Sequence, residues 1–163
     1  MKNMKKNRNS GFSLVEIIIV VAIFTILGFY AFTGIALVTS RPVDECAKKI
    51  QIALEGNRNT TMGKFSASIT FSADGNGIYM EETIDGISDG KVKIGQSGVN
   101  VTYKLSGTDV DLSTTPITVS FDRADGSLNP QADGSYLQSF EISRGDRRFT
   151  VTVDKLTGRV DLK

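Results

Sequence analysis

The chain has little of the chemistry on which most active sites depend. Its 163 residues include one cysteine, Cys46, and no histidine. A single cysteine excludes a disulfide within the chain. Zinc sites and cysteine–histidine catalytic sites lack their usual residues here, and no set of nucleophile, base and orienting residue is recognisable. The sequence therefore predicts a protein that is not an enzyme and that has no catalytic metal.

The charges also give no case for nucleic-acid binding by the whole molecule. The chain has 19 basic and 18 acidic residues, a net charge of +1. Four of the basic residues, Lys2, Lys5, Lys6 and Arg8, lie among the first eleven residues, and the remainder keeps 15 basic residues against 18 acidic ones. We expect no nucleic-acid partner from this balance.

One apolar stretch organises the chain. From Ile17 to Ser40 there are 24 residues without a charge, and most of them are apolar. A helix of that length can cross the roughly 30 Å hydrocarbon core of a bilayer. Glu16 stands at its start, where an unpaired carboxylate is costly, so Glu16 needs a partner. An ordinary membrane anchor with a positive cytoplasmic flank explains the basic leader, but it does not explain the order Gly11-Phe12-Ser13-Leu14-Val15-Glu16.

That order resembles the prepilin cleavage motif of type IV pilins and type II secretion pseudopilins. The resemblance implies that prepilin peptidase cuts between Gly11 and Phe12, and that Phe12 is then N-methylated. It also implies that Glu16 helps to set the register between subunits. Many related pilins of Gram-negative bacteria close a C-terminal loop with two cysteines, and this chain departs from that pattern.

The same resemblance implies a place and a set of partners. The protein would be a single-pass membrane protein before assembly, and then part of a cell-surface filament with an extracytoplasmic head domain. Its partners would be prepilin peptidase, other pilin or pseudopilin subunits, the membrane and the assembly machinery. The implied function is that of a structural, minor subunit of a pilus or of a pseudopilus used in protein secretion.

A second helical segment follows the apolar stretch. Pro42 marks the transition, either as the first residue of a new helix or as a kink in a continuous one. Apolar residues then recur at helical spacing and make one stripe that should pack on a sheet. The stripe consists of Val43, Cys46, Ala47, Ile50, Ala53 and Leu54. On it, Cys46 is expected to be a small buried hydrophobe.

The rest of the chain alternates apolar and polar residues with period two. This pattern predicts an antiparallel meander of roughly seven or eight short strands. The predicted inward positions include Phe65, Ala67, Ile69, Phe71, Val99, Val101, Tyr103, Leu105, Ile117, Val119, Phe121, Phe140, Ile142, Phe149, Val151 and Val153. The stretches from Ser106 to Thr115 and from Asp122 to Gly134 are predicted loops.

The predicted fold is α+β, with a long N-terminal transmembrane helix packed on an antiparallel β-sheet head domain, as in pilins. We divide the chain into four segments. These are a leader peptide at 1–11, a hydrophobic transmembrane and assembly helix at 12–40, an amphipathic helix at 41–62 and an antiparallel β head domain at 63–163.

Two short motifs have both a functional and a structural interpretation. Asp-Gly occurs five times, and this dipeptide favours turns because both residues tolerate positive φ. The functional alternative is calcium bound by loop carboxylates and carbonyls, although the EF-hand spacing is absent. Arg144-Gly145-Asp146 matches an integrin-binding tripeptide, but it stands where a hairpin turn is needed.

Three finer hypotheses stay open at this stage. The C-terminal pattern, with Thr157-Gly158-Arg159 before a last strand, resembles the H-type minor pseudopilin group. A single-pass surface adhesin that does not polymerise is an alternative from another functional class. A DNA-uptake pilus component is a third, with Arg144, Arg147 and Arg148 as its dense basic cluster. The residues do not separate secretion, competence, motility and adhesion.

Overall fold

The chain contains one long helix and two antiparallel sheets. The computed structural model describes residues 14–63 and 65–163, with their side chains except those of residues 28–40. The helix, α1, spans Leu14–Met62. Within the described residues the strands are β1 Ala67–Asp74, β2 Gly77–Ile84, β3 Ile87–Gln96, β4 Asn100–Leu105, β5 Thr108–Asp111, β6 Ile117–Ser120, β7 Leu137–Arg144, β8 Arg147–Val153 and β9 Val160–Leu162. The predicted α+β class is confirmed.

Residue contacts divide the chain into two compact units, Met1–Thr39 and Ser40–Lys163. We call the second unit the head. Pro42 lies inside α1. Of the two alternatives that the sequence leaves open, the structure therefore shows the continuous helix, and a new helix that begins at Pro42 is wrong. The stripe that begins at Val43 is fully buried from its first residue, and this packing supports helix directly after the proline although the proline lacks an N–H to donate.

The head has two sheets where the sequence predicted one meander. The first sheet has the strand order β3-β2-β1-β6, and the second has the order β5-β4-β7-β8-β9. Strands β1 and β6 are neighbours in the first sheet although four strands separate them in the chain. In the second sheet β4 pairs with β7, from which two strands separate it in the chain. The alternation of apolar residues identifies a strand and its buried face, but it does not choose the partner strand. The predicted single meander is therefore wrong.

The helix contributes one wall of the core. Val43, Cys46, Ala47, Ile50 and Leu54 are fully buried, which confirms the predicted stripe, and Ala53 is half-buried. They join one cluster with apolar residues of both sheets. The buried side chains of α1 recur every three or four residues, and those of the strands recur at alternate positions. Each spacing places the buried side chains on one face of its element, and these faces form the core.

Two details of the predicted head are corrected. Phe65 was expected to face inward, but it is 51% exposed, because β1 begins only at Ala67. The predicted loop from Ser106 to Thr115 contains strand β5, which pairs with β4. The segment Thr108–Asp111 includes two aspartates, a residue type that is depleted in strands, and this composition concealed the strand.

Four of the five Asp-Gly pairs and the Arg-Gly-Asp motif lie at turns or in loops, whereas Asp89 and Gly90 lie within strand β3. Asp85 and Gly86 have φ of 50° and 81° and connect β2 to β3 as a two-residue hairpin loop, which is the conformation that this dipeptide favours. Gly145, with φ of 58°, lies in the loop between β7 and β8, where Arg144 is paired with Arg147. The structural interpretation of the tripeptide is confirmed.

Candidate functional site

The described part of the N-terminal unit is a helical segment with an apolar surface. All residues from 14 to 27 are exposed; Leu14 is 75% and Phe24 69% accessible. Apart from Glu16 and Thr25, every residue of this segment is apolar. A helix that is apolar on all sides is one that functions while buried in protein or lipid, and a contiguous exposed apolar surface marks an interaction site.

The predicted transmembrane segment at 12–40 is described only in part. Residues 12 and 13, and the side chains of residues 28–40, lie outside the described residues. Among the helical residues that the structure describes, no stretch is both long and apolar enough to cross a bilayer.

The two polar residues of the segment have different surroundings. The Thr25 hydroxyl donates a hydrogen bond of 2.8 Å to the Ala22 carbonyl within the helix, so this group is satisfied locally. Glu16 lies in the first turn of α1, where the positive end of the helix dipole favours a carboxylate. Gly11 and Phe12, the predicted cleavage and methylation residues, lie outside the described residues. The described segment thus carries one charged group, Glu16, on an apolar helix.

In the head, Cys46 is a buried and unreactive thiol. Burial raises its pKa to about 11, and the nearby charge of Lys49 offsets only part of that shift. A thiol with this pKa stays protonated at neutral pH, whereas nucleophilic and metal-binding cysteines act as thiolates. Cys46 therefore belongs to the core, as its position on the apolar stripe of α1 predicts.

The aspartates of the predicted calcium loops are occupied by their own turns. The backbone N–H of Ser127 donates to Asp125 and lowers the pKa of that carboxyl. The hydroxyl and N–H of Ser135 lower the pKa of Asp133 in the same way. Residues 14–63 and 65–163 contain no group of three side chains placed to hold a metal ion. Calcium binding stays a prediction to which the described residues contribute no ligand set.

The arginine cluster lies at one end of the second sheet. Arg144 and Arg147 flank the β7–β8 turn, and Arg148 forms an ion pair with Glu141 at 3.1 Å. Surface pairs of this kind contribute little to stability, but they do reduce the local positive charge. The cluster is therefore less basic than its three arginines indicate.

A groove of about 550 Å³ separates the C-terminal part of α1 from the β8–β9 turn. Its walls include Glu55, Arg58, Thr157 and Arg159. Arg159 is paired with Asp161 at 2.8 Å, and Arg58 Nε donates to the Gly126 carbonyl at 3.1 Å. The charged groups of the groove thus have both signs and partners within the chain, so the groove does not select one class of ligand.

The N-terminal segment is the part that matches a known family. Residues 6–32 match the family model of the prokaryotic N-terminal methylation motif, the motif of type IV prepilins and pseudopilins. The chain carries a prepilin motif. No curated protein and no solved structure matches this chain.

The prepilin motif implies processing by prepilin peptidase and assembly with other pilin subunits. It supports a pilin-like or pseudopilin subunit in general. Gly11, Phe12 and Glu16 all lie within the matched range, and their individual roles stay predictions. The resemblance to the H-type group is likewise a prediction.

Sequence reasoning missed two buried polar residues of α1. Asn57 and Thr61 are at most 1% exposed. The Asn57 side-chain amide donates to Glu82 Oε1 of β2 at 3.3 Å, and the Thr61 hydroxyl donates to the Asn57 carbonyl at 2.9 Å. They continue the stripe beyond Leu54 at spacings of three and four residues. The spacing could have revealed them, but the apolar criterion ended the stripe too early.

Proposed function

We propose that the chain is a structural subunit, of the minor type, of a type IV pilus or a type II secretion-like pseudopilus. In this proposal prepilin peptidase cuts between Gly11 and Phe12, Phe12 is N-methylated, and the subunit passes from the membrane into a helical filament. The observation that carries the proposal is the overlap of the prepilin motif with the exposed apolar helix. The motif covers residues 6–32, and the exposed residues 14–27 lie inside that range.

The physical reason for assembly is the apolar surface of residues 14–27. Burial of such a surface is favourable by about 25 cal/mol per Å² of apolar area removed from water. Before assembly the bilayer would supply an apolar environment, and in the filament the same helices of neighbouring subunits would supply it. The head would then face outward and carry the specificity of the subunit.

Glu16 would set the register of the filament. Cleavage creates an ammonium group on Phe12, and the carboxylate of Glu16 in a neighbouring subunit would pair with it. A pair of charges in an apolar environment adds little net stability, but leaving one charge without its partner is strongly unfavourable. Subunits in the wrong register would therefore be rejected.

The C-terminal part of the head supports the finer proposal of an H-type subunit. A β7–β8 hairpin is followed by the Thr157–Gly158 turn and by the last strand β9, in the order that the H-type group shows. The competing function is a membrane-anchored adhesin that does not polymerise. It shares the anchor, but it predicts an uncut leader and a monomer.

Mass analysis of the N-terminus tests processing. We expect the membrane-bound and surface forms to begin at methylated Phe12, and Gly11→Val to leave an intact precursor in the membrane. Retention of residues 1–11 in the functional protein contradicts the proposal and favours the anchored adhesin.

The role of Glu16 is tested in sheared filament and membrane fractions of cells. Glu16→Val should still be inserted and cut, but its share in the filament fraction, or its methylation, should fall. Thr25→Val is the matched control, because it also replaces a polar residue of the exposed segment by valine and its hydroxyl bonds only within the helix. Equal incorporation and methylation of both variants and the wild type would defeat the register role.

A further inference from the structure

Two edge strands of the head are open along their outer sides. β3 is the outermost strand of the first sheet, and β5 is the outermost strand of the second. Residues 87–93 of β3 are exposed, as are three of the four residues of β5. An edge strand presents backbone N–H and C=O groups that can pair with a strand of another chain.

The exposed parts of these edges have complementary sequences. β3 carries Lys91-Val92-Lys93, and β5 carries Asp109-Val110-Asp111. Placed antiparallel with the valines opposite each other, each lysine faces an aspartate, Lys91 with Asp111 and Lys93 with Asp109. Opposite charges and apolar pairs at directly opposed positions are the contacts that stabilise a pair of strands.

The faces of the two strands also agree. Val92 is opposite Met80, and Val110 is opposite the buried Tyr103; Met80 and Val110 both pack against the apolar core. Lys93 is opposite Tyr79, and by alternation the lysines and the aspartates lie on the other, solvent-facing sides of their sheets. Pairing in this register therefore keeps apolar residues on one face and charges on the other.

We propose that β3 of one copy of this chain pairs with β5 of a second copy, antiparallel and with Val92 opposite Val110. The pairing rests on the proposed function, because a filament is what would hold the heads side by side. The β3–β5 pairing identifies the surfaces through which two heads are in contact. The apolar helix and Glu16 do not determine these surfaces.

The same charges disfavour the symmetric alternatives. With Val92 opposite Val92, an antiparallel β3–β3 pair would place Lys91 opposite Lys93. With Val110 opposite Val110, a β5–β5 pair would place Asp109 opposite Asp111. Like charges at directly opposed positions are unfavourable. Two bulges limit the regular edge of β3 to residues 91–93. Asp89 and Gly90 together stand opposite Glu82, and Ile94 is the extra residue between the pairs Tyr79–Lys93 and Ile78–Gly95. The contact is thus head-to-tail, a type that extends as a ring or an open filament and does not close as a twofold dimer.

Existing contacts leave these groups able to pair. Lys104 Nζ lies 3.5 Å from Asp109 Oδ1, with both side chains substantially exposed, and such a surface pair is worth little. The backbone N–H of Ser113 lowers the pKa of Asp111 and keeps its carboxyl ionised. The Asp111 carbonyl accepts bonds from Thr114 and Thr115, so new backbone bonds along β5 would come from the residues before it.

Cysteine cross-linking in full-length chains tests the pairing. Val92→Cys and Val110→Cys are placed in separate, differently tagged copies and produced together, and mild oxidation follows. Directly opposed residues of paired strands have Cβ atoms close enough for a disulfide with small adjustment. We expect a mixed dimer only when both variants are present, and none with the wild type, whose Cys46 is buried. No mixed dimer, or an equal dimer in cells with one variant alone, would overturn the proposal.

Charge reversal separates recognition from a structural effect. Lys91→Glu with Lys93→Glu in the Val92→Cys copy should lower the mixed dimer several-fold. Asp109→Lys with Asp111→Lys in the Val110→Cys partner should restore it, which damage to either fold would not do; a failure to restore it also contradicts the proposal. If wild-type protein is found in the sheared filament fraction but the two cysteine variants form no cross-link, the proposed function stands and the edge pairing is contradicted. If wild-type protein is absent from the sheared filament fraction, the proposed function is contradicted. Cross-linking of the cysteine variants in the membrane fraction then still tests the β3–β5 pairing.

Discussion

The rings of Phe71 and Phe140 meet edge to face, with centroids 5.2 Å apart and planes inclined at 66°. Phe71 lies in β1 of the first sheet and Phe140 in β7 of the second, and both are fully buried. Such a pair contributes about 0.5–1.5 kcal/mol beyond the burial of its area. The contact therefore joins the two sheets directly in the core.

A double-mutant cycle should detect this contact. Phe71→Leu and Phe140→Leu should each lower the free energy of unfolding, and their effects should be non-additive by about 0.5–1.5 kcal/mol, the value of an aromatic pair. Urea unfolding of the four proteins gives the number. A control cycle combines Phe71→Leu with Phe149→Leu, at a half-buried residue of β8. The effects of these two substitutions should be close to additive. Additive behaviour of the first cycle would show that the rings do not interact energetically.

Ile50 and Ile52 give a matched pair of substitutions on the head part of α1. Ile50 is fully buried in the core, whereas Ile52 is 67% exposed. Ile50→Asp places a charge in an apolar core, and so it should unfold the head or strongly destabilise it. Ile52→Asp should change the free energy of unfolding by no more than about 0.5 kcal/mol, as exposed substitutions do. Circular dichroism during thermal unfolding measures both, and similar losses would contradict the packing of the stripe.

Gly158 and Gly145 separate a steric clash from backbone strain. Their φ angles are 63° and 58°, but only at Gly158 would a Cβ atom collide with its surroundings, chiefly the Gly126 carbonyl and Arg58. Gly145→Ala should cost about 1–2 kcal/mol, the penalty of a left-handed conformation for an ordinary residue. Gly158→Ala should cost clearly more, because the β8–β9 turn must also move. Equal losses in chemical denaturation would indicate that this turn is not packed as described.

The turn aspartates predict the pH dependence of stability. The backbone N–H of Thr157 is the largest cause of the lowered pKa of Asp154, whose ordinary value is 3.8. A carboxyl with a lower pKa in the folded state stabilises the fold above its unfolded pKa, and this stabilisation is lost as the pH falls through that value toward the folded one. Asp154→Asn should therefore lose stability at pH 7 but little at pH 2, which narrows the difference in melting temperature between these pH values. An unchanged difference would contradict the role of the carboxylate.

The sequence predicted those features that depend on local order. The stripe from Val43 to Leu54 is correct because helical spacing alone selects one face. The prepilin motif is equally local, since Gly11, Phe12 and Glu16 stand within six residues of one another. A motif of this kind can be recognised without knowledge of the fold.

The features that were missed depend on distant partners or on polar residues. Strand β5 pairs Asp109 with Lys104 and Asp111 with Thr102. Two of its four residues are aspartates, which are depleted in strands, so its own composition does not identify it. Asn57 is buried because β2 supplies Glu82 as a partner, and that partner is 25 residues away. The division into two sheets follows from the β1–β6 and β4–β7 pairings, which alternation cannot select.

These distant pairings also set the order in which the head can be built. Val119 of β6 lies opposite Ile69 of β1, 50 residues earlier in the chain. Pairings of such high contact order are slow to form, because a long loop must close before any contact rewards it. During synthesis the stripe of α1 is made first, and the apolar cluster that it joins is complete only after β6, β7 and the later strands have followed. Until then part of the apolar stripe of α1 stays exposed in the nascent subunit, and a neighbouring chain can bind to it during this time.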